Sequence, residues 1–151
     1  MEIYRKLMVI AREQAEKSLR EGGIPVGAVL ADQEGNVICA SHNRRVQNND
    51  PTSHGETQCI KDAGRRTDWH KLILVSTLSP CEMCTGTTVL LKISTIVIGE
   101  NQNFKGPEHW FQERGVEIVN LKDEKLTKMM RKFIQENPAL WNEDIAIPEK
   151  E

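Results

Sequence analysis

Apolar side chains recur with helical spacing over the first stretch of the chain, at Ile3, Leu7, Ile10, Ala11, Ala15 and Leu19, opposite a face of Arg, Lys, Glu and Gln. That pattern predicts an amphipathic surface helix. Gly22-Gly23 should stop it, because glycine readily takes the left-handed cap conformation. Ile24 to Ala31 is β-rich, Asp32-Gln33-Glu34-Gly35 reads as a turn, and Asn36 to Ala40 reads as a second strand, so a hairpin follows. A polar loop containing Asn43 then runs to Asp50-Pro51. Thr52 to Arg65 reads as the second helix, opened by Thr52 or Ser53, with Cys59 as a small core residue on it. Leu72 to Thr77 is apolar enough for a buried strand. Ser79-Pro80-Cys81-Glu82 offers a cap, a proline at the first helical position and a glutamate three after the cap, predicting a helix to about Lys92. Ser94 to Gly99 and Val116 to Leu121 are further strands. Asp123 to Glu136 is a helix with Leu126, Met129, Met130, Phe133 and Ile134 inward, ended by Asn137-Pro138. Strands alternating with helices after a hairpin imply an α/β protein, a three-layer α/β/α sandwich around a five-stranded mixed sheet.

Composition narrows the picture. The 151 residues suit one domain, residues 1–151, with a core that needs no staples. The formal net charge is -2 and the pI about 6.1, so no global field gathers nucleic acid or anionic membrane. No apolar run approaches the roughly 20 residues that cross a bilayer. The chain opens charged and helical rather than on an apolar signal segment. Its four cysteines, Cys39, Cys59, Cys81 and Cys84, therefore read as thiols of a reducing cytoplasm.

Two of those thiols carry chemistry. Cys81 and Cys84 stand three apart at a helix start, where they lie side by side and can grip one metal ion. The positive end of the helix dipole favours both as thiolates. His54 offers a third ligand, and Glu56, two residues later, stays free. Three protein ligands leave the fourth tetrahedral position of zinc open for water, the mark of a catalytic site. The set matches the H-x-E…P-C-x-x-C signature of zinc deaminases. Plainer readings stand beside it. Ser53 and Glu56 are spaced as a capping box, in which Glu56 merely bonds a backbone amide. A C-x-x-C alone also suits a redox pair, and Asn43 also suits a plain turn.

Beyond the zinc motif, the chain resembles the fungal-type cytosine deaminase family across nearly its whole length. The residues that carry the resemblance are Glu21-Gly22-Gly23-Ile24-Pro25-Val26-Gly27, His42-Asn43, His54-Gly55-Glu56, Thr77 through Gly86, Gly99-Glu100-Asn101-Gln102-Asn103-Phe104 and Trp141-Asn142-Glu143-Asp144-Ile145. The resemblance implies one zinc per subunit on His54, Cys81 and Cys84, with Glu56 as proton shuttle. It implies that Asn43 and the Gly55 amide hold the pyrimidine carbonyl and ring edge. The Ser79 carbonyl and Asp144 would receive the exocyclic amine. Phe104, Trp141 and Val26 would flank the ring, Thr52 would line the pocket, and the tail from Trp141 to Asp144 would close it as a lid. A homodimer acting on a small nucleobase is implied as well. Ser53 and Arg44 depart from the family pattern beside two of these positions.

The expected reaction is hydrolysis of cytosine to uracil and ammonia, or deamination of a related small heterocycle such as creatinine, isocytosine or guanine. A tRNA adenosine deaminase shares the zinc motif but needs a basic face for phosphates, which this mildly acidic chain lacks. A non-catalytic zinc module would close the site with His42 or Cys39 as a fourth ligand.

Overall fold

The computed structural model describes residues 1–149. Its elements run α1 (Glu2–Arg20), β1 (Gly27–Asp32), β2 (Val37–His42), α2 (Gly55–Ala63), a 3-10 turn (Trp69–Lys71), β3 (Leu72–Ser76), α3 (Glu82–Leu91), β4 (Thr95–Ile98), α4 (His109–Glu113), β5 (Glu117–Asn120), α5 (Glu124–Glu136) and α6 (Pro138–Asp144). The sheet order is β2-β1-β3-β4-β5. β1 runs antiparallel to both β2 and β3, while β3, β4 and β5 are parallel. The five-stranded mixed sheet expected from the sequence is therefore present.

Strand alternation builds the three layers. Ala28 and Leu30 of β1, Leu72 and Leu74 of β3, and Ile96 and Ile98 of β4 share one core with Cys59, Phe111 and Val116. The intervening Val29, Ala31, Ile73, Val75 and Val97 face Leu7, Met8, Ala11 and Leu126. Helices α1 and α5 thus cover one face and α2 and α4 the other. A sheet covered on both sides needs apolar residues at every inner-strand position, which is why β3 and β4 read as unbroken apolar runs. The edge strands β2 and β5 are only half-buried along most of their length.

Several boundaries differ from the expectation, each for a local reason. The first strand begins at Gly27 rather than Ile24, because Ile24 and Val26 belong to a third apolar cluster with Leu78, Met130, Phe133 and Trp141. β2 extends to His42, with a bulge opposite Leu30 and Ala31. On α1, Ile3 and Leu19 are exposed, while Met8 and Ser18 are buried. Ser18 is buried because its hydroxyl donates to the Asn43 carbonyl at 2.8 Å. Helix α1 sits directly on β1: a side chain at Gly27 would collide with the Ala11 carbonyl. Two short helices, α4 and α6, have no counterpart in the sequence expectation.

Candidate active site

The site forms at the carboxyl end of β3, where two helix starts converge. His54 is the N-cap residue of α2 and Cys81 the N-cap residue of α3, with Cys84 in the first turn after it. Both cysteine sulfurs lie 3.5 Å from His54 Nδ1. The three ligand atoms fall within 4.8 Å of one another, the arrangement of a single metal corner.

These helix starts differ from the expected caps. α2 begins at Gly55, not Thr52, and the box that closes it pairs His54 with Thr57, whose hydroxyl accepts from the His54 amide at 3.0 Å. Glu56 is therefore not a cap, and its Oε1 is buried without a hydrogen-bond partner. α3 likewise begins at Glu82, two residues later than a Ser79 cap would place it. Ser79 Oγ instead donates to Glu108 Oε2 at 2.6 Å and accepts from the Gly106 amide at 3.1 Å. Gly106 passes so close to the Pro80 carbonyl that no side chain fits there.

Electrostatics follow from burial and crowding. Burial, the largest cause, pushes the Glu56 carboxyl up to about 7, against the pull of His54. His54 is raised to about 10: burial opposes its charge, but Asp144 and Cys81 outweigh that. The Cys81 thiol is lowered to about 4, chiefly by a hydrogen bond from Cys84 and then by His54. Cys84 moves the opposite way, above the ordinary thiol value, because it donates to Cys81 and is fully enclosed. Two sulfurs and an imidazole nitrogen at one corner are a zinc donor set. A zinc ion there would take the place of the protons on His54 and Cys84. The orphaned Glu56 oxygen beside the corner fits a site meant to hold something more than protein.

The cleft above the corner is lined by Val26, Asn43, His54, Glu56, Ser79, Phe104, Trp141 and Asp144, together with Leu78, Cys81 and Ile145. Asn43 Nδ2 donates to Asp144 Oδ1 at 3.2 Å, and Asn43 Oδ1 accepts from the Arg45 amide at 2.9 Å. Asp144 Oδ1 also lies 3.2 Å from His54 Nε2, an ion-pair distance without hydrogen-bond alignment. Phe104 and Trp141 meet edge to face with centroids 6.0 Å apart. Gly55 is buried between His54 and Glu56 and packs on Ala28. Of the expected pocket residues, Gly55 and Thr52 are not among those that line this cleft. Thr52 is exposed, and its hydroxyl donates to Asp50. Helix α2 starts three residues beyond it, which leaves it on the outer loop. His42 and Cys39 are not at the metal corner either. His42 is held by Gln14 Oε1 and Glu21 Oε1, each at 2.8 Å, and Cys39 lies beside Asp62 and Cys59.

Sequence reasoning missed Leu78 and Ile145 in the lining and the two acids that hold the loop before Phe104. Glu100 is almost fully buried and accepts from the Gln102 and Asn103 amides at 2.7 and 3.1 Å. Glu108 accepts from Asn101 as well as Ser79. The first acid belongs to the Gly99–Phe104 motif, and its turn-forming spacing to Gln102 and Asn103 was the available signal.

Sheet, helix starts and corner together define a class, the zinc-binding α/β/α deaminases. The model of the cytidine and deoxycytidylate deaminase zinc-binding region matches residues 1–100, and the chain belongs to that family. Over 143 residues it is 42% identical to a cytosine deaminase of Candida albicans, covering 93% of this chain and 95% of the other. A tRNA-specific adenosine deaminase of Haemophilus influenzae is 36% identical over 101 residues, 65% of this chain and 58% of that protein. Among solved structures, a guanine deaminase from Nitrosomonas europaea shares the fold, with a TM-score of 0.74 at 21% identity over 84% of this chain and 82% of that one. The protein is a deaminase that acts on carbon–nitrogen bonds, with His54, Cys81 and Cys84 available for zinc.

Proposed function

We propose that this deaminase hydrolyses free cytosine to uracil and ammonia, with zinc on His54, Cys81 and Cys84 and with Glu56 as the one proton carrier. The observation that carries the reading is α6, which sets Trp141 and Asp144 against His54, Asn43 and Phe104 over the cleft. The near full-length likeness to a cytosine deaminase supports it.

When bound, zinc supplies a water molecule activated at neutral pH. Everything else falls to the chain. Glu56, raised to about 7, stands near the pH at which a group can both take and give a proton. It accepts the proton of the attacking water and hands it to ring N3, which makes C4 more electrophilic. After the hydroxyl has added to C4, Glu56 takes the remaining proton from that hydroxyl and passes it to the amine, so the C4 carbonyl forms, the C4–N bond breaks, ammonia leaves and uracil remains. Asn43 and the Gly55 amide hold the carbonyl side of the ring. The Ser79 carbonyl and Asp144 accept from the amine, an interaction that a carbonyl in its place cannot supply. Phe104, Trp141 and Val26 clamp the ring and exclude water, leaving no room for a ribose on N1.

The protein would act in the cytoplasm, in keeping with its free cysteines. It would act as a homodimer, with the face of α3 and α4 as the interface. Leu90 there is 76% exposed, beside Val89 and Trp110. Leu90→Lys should then shift the protein to monomer in sedimentation, and unchanged sedimentation would remove this face from the interface.

The decisive assay gives zinc-loaded protein cytosine, cytidine, creatinine, guanine and adenine in parallel and follows ammonia. Cytosine should be turned over and cytidine should be essentially inert. Comparable efficiency on cytidine, or turnover of a purine alone, would overturn the reading.

A further inference from the structure

Arg45 lies in the loop after β2, outside every motif that suggested a role, yet it touches both walls of the cleft. Its backbone N–H donates to Asn43 Oδ1 at 2.9 Å, leaving Asn43 Nδ2 to donate to Asp144. Its side-chain Nε lies 3.1 Å from Glu143 Oε2, on the residue before Asp144. Nη1 reaches the Pro51 carbonyl at 3.3 Å and ties the guanidinium to the far end of its own loop. Apart from the contacts of Asp144 itself, this is the described ion pair that reaches α6. The rest of the α6 anchorage is apolar, through Trp141 and the cluster around Phe133.

We propose that Arg45 is a positioning residue of the cleft, latching α6 shut through Glu143 while its backbone holds Asn43 turned toward Asp144. The pair suits a latch because it is weak. The Arg45 side chain is 20% exposed and that of Glu143 54%, so water and salt screen the attraction. A bond of that strength changes the open population by about two- to fivefold. That is enough to favour closure over bound base without trapping the product. Glu143 thereby sets the position of its neighbour Asp144, the group that reads the amine. This role rests on the deaminase reading of the cleft given above.

The test compares wild type with Arg45→Met, Glu143→Gln and the double variant at low and high salt. Three quantities are read: amide hydrogen exchange of the segment spanning α6, kcat and KM on cytosine, and zinc content. Each single variant should exchange α6 amides about two- to fivefold faster, and the double variant should go no further, because both changes remove one interaction. High salt should bring wild type to the same level. KM should rise by a similar factor without a fall in kcat, with zinc retained. A merely structural role would lower kcat and zinc together. Unchanged α6 exchange in both single variants, or multiplying effects in the double, overturns the latch. Faster exchange with unaltered KM overturns the positioning role. Failure of wild type to deaminate cytosine would remove the functional reading and leave the exchange comparison to decide the latch.

Discussion

The spacing of Glu56 allows it two duties, closing the start of α2 or staying free for chemistry, and in the structure Thr57 performs the first. Thr57 closes the helix start, so Glu56 is left buried with an unpartnered oxygen. Replacing Glu56 by Gln keeps the shape and removes the proton. We expect zinc content to stay at wild-type level while turnover falls on the order of 10²–10⁴-fold, the usual worth of a positioned acid-base group. Near wild-type ammonia release would show that the carboxylate has no part in the chemistry. The cysteines divide in the same way. Cys81→Ser and Cys84→Ser should each lose zinc, since both sulfurs lie beside His54 Nδ1. Cys39→Ser and Cys59→Ser should keep it. Cys59 donates to the Ala28 carbonyl inside the core instead. Metal analysis of the four variants decides the matter, and full zinc in either of the first two would redraw the corner.

At the scale of elements, two helix N-termini and one short C-terminal helix make the cleft. Helices α2 and α3 direct the positive ends of their dipoles at the same corner, which favours anionic sulfur. Helix α6 matters differently, because it brings an aromatic wall and a carboxylate to a cleft otherwise built from residues 26 to 104. Ending the chain at Asn137 should therefore abolish deamination while leaving zinc bound. It should also lower the melting temperature, because the partners of Trp141 become exposed. A truncated protein as active as the full chain would reduce α6 to a solvated end.

On the scale of the molecule, metal and fold are linked. The corner joins α2, which packs on β2 and β1, to α3, which packs on α2 and α4. An ion that binds the folded corner but not the unfolded chain adds its binding free energy to stability, about 4 kcal/mol at a thousandfold excess over Kd. For a chain of this length, chelation should lower the melting temperature on the order of 10 °C, and added zinc should restore it. A melting curve that is the same for zinc-loaded and stripped protein would mean that the corner does not hold the helices together. No helix among the described residues is long and apolar enough to cross a membrane.

What the sequence determined by itself was whatever depends on short spacing. Apolar runs set the inner strands, a heptad-like stripe set α5, and two short motifs, His-x-Glu and Cys-x-x-Cys, marked the donors that the fold brings to one corner from 27 residues apart. These are properties of neighbours along the chain, and the backbone period converts them directly into faces. Tertiary structure decided the rest. Whether Thr52, Ser53 or His54 caps α2 depends on where the loop from β2 releases the chain, and the spacing of Thr52 and Ser53 did not point to His54. Ser18 and Met8 turn inward on α1 because Asn43 and the sheet lie beneath them. The span Pro138–Asp144 is too short to be a helix on propensity alone. It becomes one because Trp141 finds Leu78 and Phe133 together with Ile24 and Val26, the last two more than a hundred positions away along the chain. Only that packing carries Asp144 to Asn43 and His54, and no local pattern records a contact between the two ends of the sequence.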